Sequence, residues 1–181
     1  MSARPASTAQ RLLRLLAAGA ALGAAVQADA AAAPSDLAVK AAFMTKFAGY
    51  ATWPPPARPA GAQPLVLCMV GGDPFGRLIE EAARGQQVSG HTLQLRRVAS
   101  ADGAAGCHVA FVQSKEALDG LQSRPVLTVT DARAGPHRGM IHFVIHQGRV
   151  RFHIDEAAAA RSGIALNARL LGVALSVRQR R

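Results

Sequence analysis

The chain has 181 residues, with 21 Lys and Arg against 11 Asp and Glu, a formal charge of +10 at neutral pH, and two cysteines. Without the leader described next, about 150 residues remain, enough for one domain with a proper core and too few for a second catalytic domain. The basic excess is Arg scattered singly, with only three Lys, and it lacks zinc-finger, RNP-like or aromatic-interleaved patterns, which sets nucleic acid aside as a partner.

Arg4, Arg11 and Arg14 precede an uncharged apolar run from Leu15 to Val26, and both Val26-Gln27-Ala28 and Ala28-Asp29-Ala30 fit a small-x-small cleavage site. This pattern predicts a cleaved Sec-type signal over residues 1–30 and a periplasmic mature domain over 31–181. The run is shorter than the ~20 residues a spanning helix needs. Removing the signal leaves 18 basic against 10 acidic residues, a mature charge of +8. In an oxidising compartment an even cysteine count favours a Cys68–Cys107 bridge; two buried, unpaired thiols are the alternative.

Helical spacing of Leu37, Val39, Ala42, Phe43, Phe47 and Tyr50 predicts a helix over 36–50, capped by Ser35 or Asp36 and stopped ahead of Pro54-Pro55-Pro56. The continuous apolar run Leu65–Val70 reads as a buried strand. Asp73 and Pro74 then suit the cap and first position of a helix reaching Ala83. Strands are expected at Thr92–Val98, Val109–Val112 and Val126–Val129, with a short helix from Ser114 to Leu121 between the last two. Strands separated by helices imply right-handed crossovers and parallel pairing.

Ile141, Phe143 and Ile145 alternate with His142, Val144 and His146. After Gln147-Gly148, Val150, Phe152 and Ile154 alternate with Arg149, Arg151 and His153. A two-residue turn places Phe143 opposite Phe152 and His142 opposite His153, with the large apolar side chains on one face and a solvated His- and Arg-rich face on the other. Asp155 caps a helix over 156–161 ended by Gly163, and Asn167 leads into a last amphipathic helix carrying Leu170, Leu171, Val173, Ala174 and Val177. The fold class is therefore α/β: a single small domain with a mixed, largely parallel sheet flanked by helices and a β-hairpin near the C-terminus.

Chemical motifs are sparse. Gly71-Gly72-Asp73-Pro74-Phe75-Gly76 follows a strand but matches neither a Walker loop nor a dinucleotide fingerprint, so a tight turn explains it better than a phosphate site. His142 and His153 face each other, yet no Cys, Asp or Glu on that face completes a metal set. His108 reads as the first residue of a strand. No nucleophile elbow and no paired carboxylates stand out, and no cofactor, metal or catalytic residue is expected. Ile164, Leu166, Leu170 and Leu171 exceed what one short helix needs to face a core. They read either as core or as an exposed patch for a partner or a second protomer.

Taken in order, Val39-Lys40-Ala41-Ala42-Phe43 running to Phe47-Ala48-Gly49-Tyr50 and Trp53-Pro54, Gly72-Asp73-Pro74-Phe75-Gly76, Cys107-His108-Val109-Ala110-Phe111, Gly139-Met140-Ile141 with the hairpin to Val150-Arg151-Phe152, and Leu170-Leu171 carry a likeness to a known family. The mature chain resembles the YfiR family of periplasmic regulators. The resemblance implies a small α/β domain that forms a homodimer, binds the periplasmic domain of an inner-membrane diguanylate cyclase or sensor kinase, and holds it inactive. Release would raise cyclic di-GMP and promote biofilm, with an outer-membrane lipoprotein as antagonist. It also implies a redox-linked bridge between Cys68 and Cys107, without the second cysteine pair of some members, whose place in the hairpin is taken by His142, His146 and His153. A periplasmic small-ligand binder using the loop after Val70 is the alternative.

Overall fold

The computed structural model describes residues 34–180; the expected signal, residues 1–30, lies outside them. The first helix, α1 (Asp36–Phe47), starts where Ser35 Oγ accepts from the Ala38 N–H at 3.2 Å, and Asp36 and Lys46 sit at its ends with the signs its dipole favours. A 3₁₀ turn continues it to Tyr50 and feeds a two-residue strand, β1 (Ala51–Thr52). The strands that follow are β2 (Leu65–Val70), β3 (Gln87–Val88), β4 (His91–Val98), β5 (Val109–Val112), β6 (Leu127–Asp131), β7 (Ile141–His146), β8 (Arg149–Asp155), β9 (Ala165–Leu166) and β10 (Ser176–Arg178). Between them lie α2 (Arg77–Ala83), α3 (Lys115–Asp119), α4 (Glu156–Arg161) and α5 (Ala168–Val173).

The main sheet has eight strands in the order β10-β8-β7-β6-β5-β2-β4-β3, and β1 pairs separately with β9. Its five central strands, β4, β2, β5, β6 and β7, are mutually parallel, and β8 returns antiparallel through the hairpin. Because β4 lies on one side of β2 and β5 on the other, the chain winds outward in both directions from β2, as in doubly wound folds. The α/β class and the largely parallel sheet therefore follow the expectation.

One face of the sheet carries the larger core, in which α1 lays Ala41, Met44, Phe47 and Ala48 against Leu67, Phe111, Phe143 and Phe152. The rings of Phe43, Phe47, Phe143 and Phe152 pack with centroids between 5.3 and 6.4 Å, several of them edge-on. On the other face a smaller core of Cys68, Val70, Ala110, Val112, Ala117 and Leu121 sits under α3. The hairpin register is the expected one: His146 faces Arg149, Ile145 faces Val150, Phe143 faces Phe152 and His142 faces His153. Gln147 and Gly148 both have positive φ, 50° and 70°, the turn geometry whose twist matches the two strands.

Three expectations are corrected. Asp73 does not cap α2: its Oδ1 accepts from the Phe75 and Gly76 N–H groups at 2.8 and 3.1 Å, tightening the turn, and the helix begins only at Arg77. The last helix ends at Val173, because Ala174 is extended, and Val177 belongs to β10 beside Ile154 of β8. The hairpin's polar face is not solvated throughout. The connection from β6 to β7, residues 132–140, runs across it and buries His142. Gly139 makes that crossing possible, since a Cβ there would stand 2.8 Å from the Thr128 carbonyl oxygen.

Candidate functional site

Four groupings of polar or reactive side chains stand out, and each is positioned by the sheet. The first is the disulfide. Cys68, in β2, is bonded to Cys107, just ahead of β5, with Cα atoms 5.9 Å apart. Both cysteines are buried. Arg96 of β4 closes over the bridge, its Nη2 donating to the Ala105 carbonyl at 2.6 Å and standing 3.1 Å from Cys107 Sγ. His108, the next residue, accepts the Val66 N–H at Nδ1 (3.0 Å), which fixes a neutral tautomer protonated at Nε2. Burial, and then the charge of His91, holds this imidazole below its ordinary range. Trp53 packs edge-on against it and donates Nε1 to the His108 carbonyl at 3.2 Å.

The second grouping is the buried His142. Thr130 Oγ1 accepts the Gly139 N–H at 2.9 Å and lies 2.8 Å from His142 Nδ1, so its hydroxyl is free to donate to a neutral imidazole. Thr128 Oγ1 likewise accepts the Met140 N–H at 3.1 Å. The two threonines thus pin the crossover to the sheet through their side chains. Burial, then Arg138, then His153 push His142 down to about 4, with His137 adding to the effect and Asp131 opposing it. His153 is lowered by burial, Arg138 and His146, and its Nδ1 lies 2.6 Å from Ser176 Oγ. No group of three or more His, Cys, Asp or Glu with metal-binding geometry occurs among the described residues.

The third grouping is a buried ion pair between Lys40 of α1 and Asp131 at the end of β6, 2.6 Å apart. Lys40 Nζ also lies 5.9 Å from the centre of the Phe143 ring. Asp131 Oδ1 accepts the Arg133 N–H at 3.0 Å, and Arg133 reaches forward to Asp36 at 2.7 Å. Two ion pairs therefore fasten the first half of α1 to the β6 end. The apolar pattern of Leu37, Val39, Ala42, Phe43, Phe47 and Tyr50 leaves Lys40 between its positions and so does not announce the pair. The signal was its place in the stripe formed with Met44 and Phe47, one and two turns along.

The fourth is the crevice where the windings diverge. A cavity of about 380 Å³ lies beyond the carboxyl ends of β2 and β5, lined by Gly71, Ser100, Asp102, Ser114, Glu116 and Gly120. The Gly71–Gly76 turn beside it does not cradle an anion: Asp73 takes the Phe75 and Gly76 N–H groups, and its other oxygen accepts Arg97 Nε at 2.8 Å.

Of the two readings of the C-terminal apolar residues, core or exposed patch, burial favours core. Ile164, Leu166 and Leu170 are 2%, 8% and 3% exposed, and they belong to the main core; Leu171 is half-buried against it. Pairing of β1 with β9 draws this segment inward, Leu166 opposite Ala51, so the exposed patch is replaced by core. The exposed large apolar residues near the hairpin are Ile145 (43%) and Val173 (57%) instead.

Fold and bridge together define a disulfide-locked, doubly wound α/β domain whose polar clusters serve packing and surface charge. A search of curated proteins finds no match. A family model described as YfiR/HmsC-like matches residues 37–175, and the chain belongs to that family.

Proposed function

We propose that the chain is a periplasmic regulator that binds the periplasmic domain of an inner-membrane diguanylate cyclase and holds the enzyme inactive. Membership of the YfiR/HmsC-like family across nearly the whole described domain carries this reading. The buried Cys68–Cys107 bridge supports an oxidising compartment. Among the described residues no helix is long and apolar enough to cross a membrane. The regulator acts as a homodimer and is relieved by an outer-membrane lipoprotein. The test is deletion of the gene, with cyclic di-GMP measured in extracts: the level rises and returns on complementation with the full-length gene. An unchanged level on deletion overturns the reading.

The crevice past β2 and β5 favours a second reading, a small-ligand binder, because ligands of doubly wound sheets sit at that point of divergence. A small-molecule screen by thermal shift decides it. A ligand that raises the melting midpoint of the wild type and not of a Ser114→Tyr variant supports it.

A further inference from the structure

A doubly wound sheet ordinarily carries a covering layer on both faces. Here α1 covers the β7–β8 end on one face, while on the other face α3 reaches only the β2–β5 region and the crossover lies over Thr128, Thr130 and His142. The rest of that outer face is open. His146, Arg149, Ser176 and Arg178 are exposed, and Val144, Arg151 and His153 are half-buried. Apart from the pair of Arg178 with Asp155, the face is cationic. Nine ion pairs engage Asp36, Asp73, Glu80, Glu81, Asp102, Asp119, Asp131, Asp155 and Glu156, yet among the described residues none reaches Arg138, Arg149 or Arg151. The carboxylates of β6, β8 and the start of α4 are already held, Asp131 by Lys40, Asp155 by Arg178 and Glu156 by Arg180. Arg138 contributes to depressing both His142 and His153, the mark of positive charge gathered over one surface.

We propose that the outer face of the β7–β8–β10 end of the sheet is a docking surface for an acidic segment of a protein partner. Arg149, Arg151 and His153 alternate along β8, so their side chains stand about 6.8 Å apart on one face, the repeat at which an extended segment presents every second side chain. Carboxylates at alternate positions would meet the two guanidiniums in charge-assisted, bidentate pairs. A second copy of this chain would oppose like charge to like. A lipid surface fits less well, because, of the protruding apolar residues nearby, Ile145 lies on the opposite side of β7, and Val173 alone borders this face, its carbonyl accepting from Arg151 Nη2 at 3.5 Å. This deepens the proposed regulatory reading and rests on it for the partner's identity, but not for the surface's chemistry.

The test uses the purified mature chain and a short peptide of alternating Glu and Thr, with nitrogen-15 amide shifts as the readout. The peptide moves resonances of β7, β8 and β10, and added salt weakens binding. The pair Arg149→Ser and Arg151→Ser lowers affinity about tenfold, whereas Arg84→Ser with Arg169→Ser, removing equal charge elsewhere, changes it less than about twofold. Equal loss in both pairs means binding through net charge alone and overturns the proposal. So does binding only to phosphatidylglycerol vesicles, or a dimer that dissociates on the Arg149 and Arg151 changes in sedimentation. In cells, Arg149→Glu with Arg151→Glu raises cyclic di-GMP to the deletion level. If deletion raises it and this variant does not, the face is overturned and the regulator stands; if deletion itself has no effect, the regulator falls and the peptide titration alone decides the face.

Discussion

At the scale of single residues, the most consequential contact is the one between Lys40 and Asp131, because both side chains are buried. Lys40→Met fills the same space but strands Asp131 as a buried, unpaired carboxylate, and should cost about 3–5 kcal/mol in urea unfolding. Combining it with Asp131→Asn, which keeps an acceptor for the Arg133 N–H, should recover most of that loss. A double variant as unstable as Lys40→Met alone would show that packing, and not charge, sets the cost. His142 governs the acid side. Its folded value of about 4 lies below the 6.5 of a free imidazole, so the unfolded chain binds the proton more tightly. Its contribution is complete above about pH 6.5 and is lost as pH falls toward 4. The melting midpoint should therefore drop across that window by more in the wild type than in His142→Gln, which cannot take the proton. Parallel pH profiles for the two proteins would remove His142 from the account.

At the scale of elements, what was legible depended on how local the cause was. The hairpin could be read in full because a period of two and a Gln-Gly turn fix register without reference to the rest of the chain. The run Leu65–Val70 declared a strand buried on both faces, and it sits at the centre of the sheet. The pairing of β1 with β9 was invisible: two-residue strands carry no period, and their partners are more than a hundred residues apart in sequence. Val177 was read as helical because its three-residue step from Ala174 fits a helix face. The free ladder edge of β8 captured it as strand instead. The burial of His142 had no local signal either, since it depends on where a nine-residue connection crosses. The register makes a direct prediction. Phe152→Asp should unfold or insolubilise the protein by placing a charge among the three remaining aromatic rings, while Arg151→Asp should leave the circular dichroism spectrum and melting midpoint nearly unchanged. The reverse pattern would mean that the strand is inverted.

At the scale of the whole molecule, the bridge lies at the centre of the sheet and the cationic face at one end of it, and this separates stability from recognition. Cys68 and Cys107 are 39 residues apart, and the loop they close holds α2, β3 and β4, the whole winding on one side of β2. In the chain-entropy account, closing a loop of that length removes about 4 kcal/mol worth of unfolded-state freedom, against a net stability on the order of 5–15 kcal/mol for a domain. Reduction should therefore leave the protein folded and lower its melting midpoint by roughly 10 °C. The variant Cys68→Ala with Cys107→Ala should show the same fall with or without reductant. Calorimetry of wild type and variant with and without a thiol reductant makes the comparison; a midpoint that does not move would mean that the loop is already constrained in the unfolded chain. β7, β8 and β10 are separated from the bridge by β5 and β6, so binding of the acidic peptide should be the same in reduced and oxidised protein at temperatures where both are folded. A loss of peptide binding on reduction, with folding intact, would instead mean that the central strands transmit the state of the bridge to the hairpin.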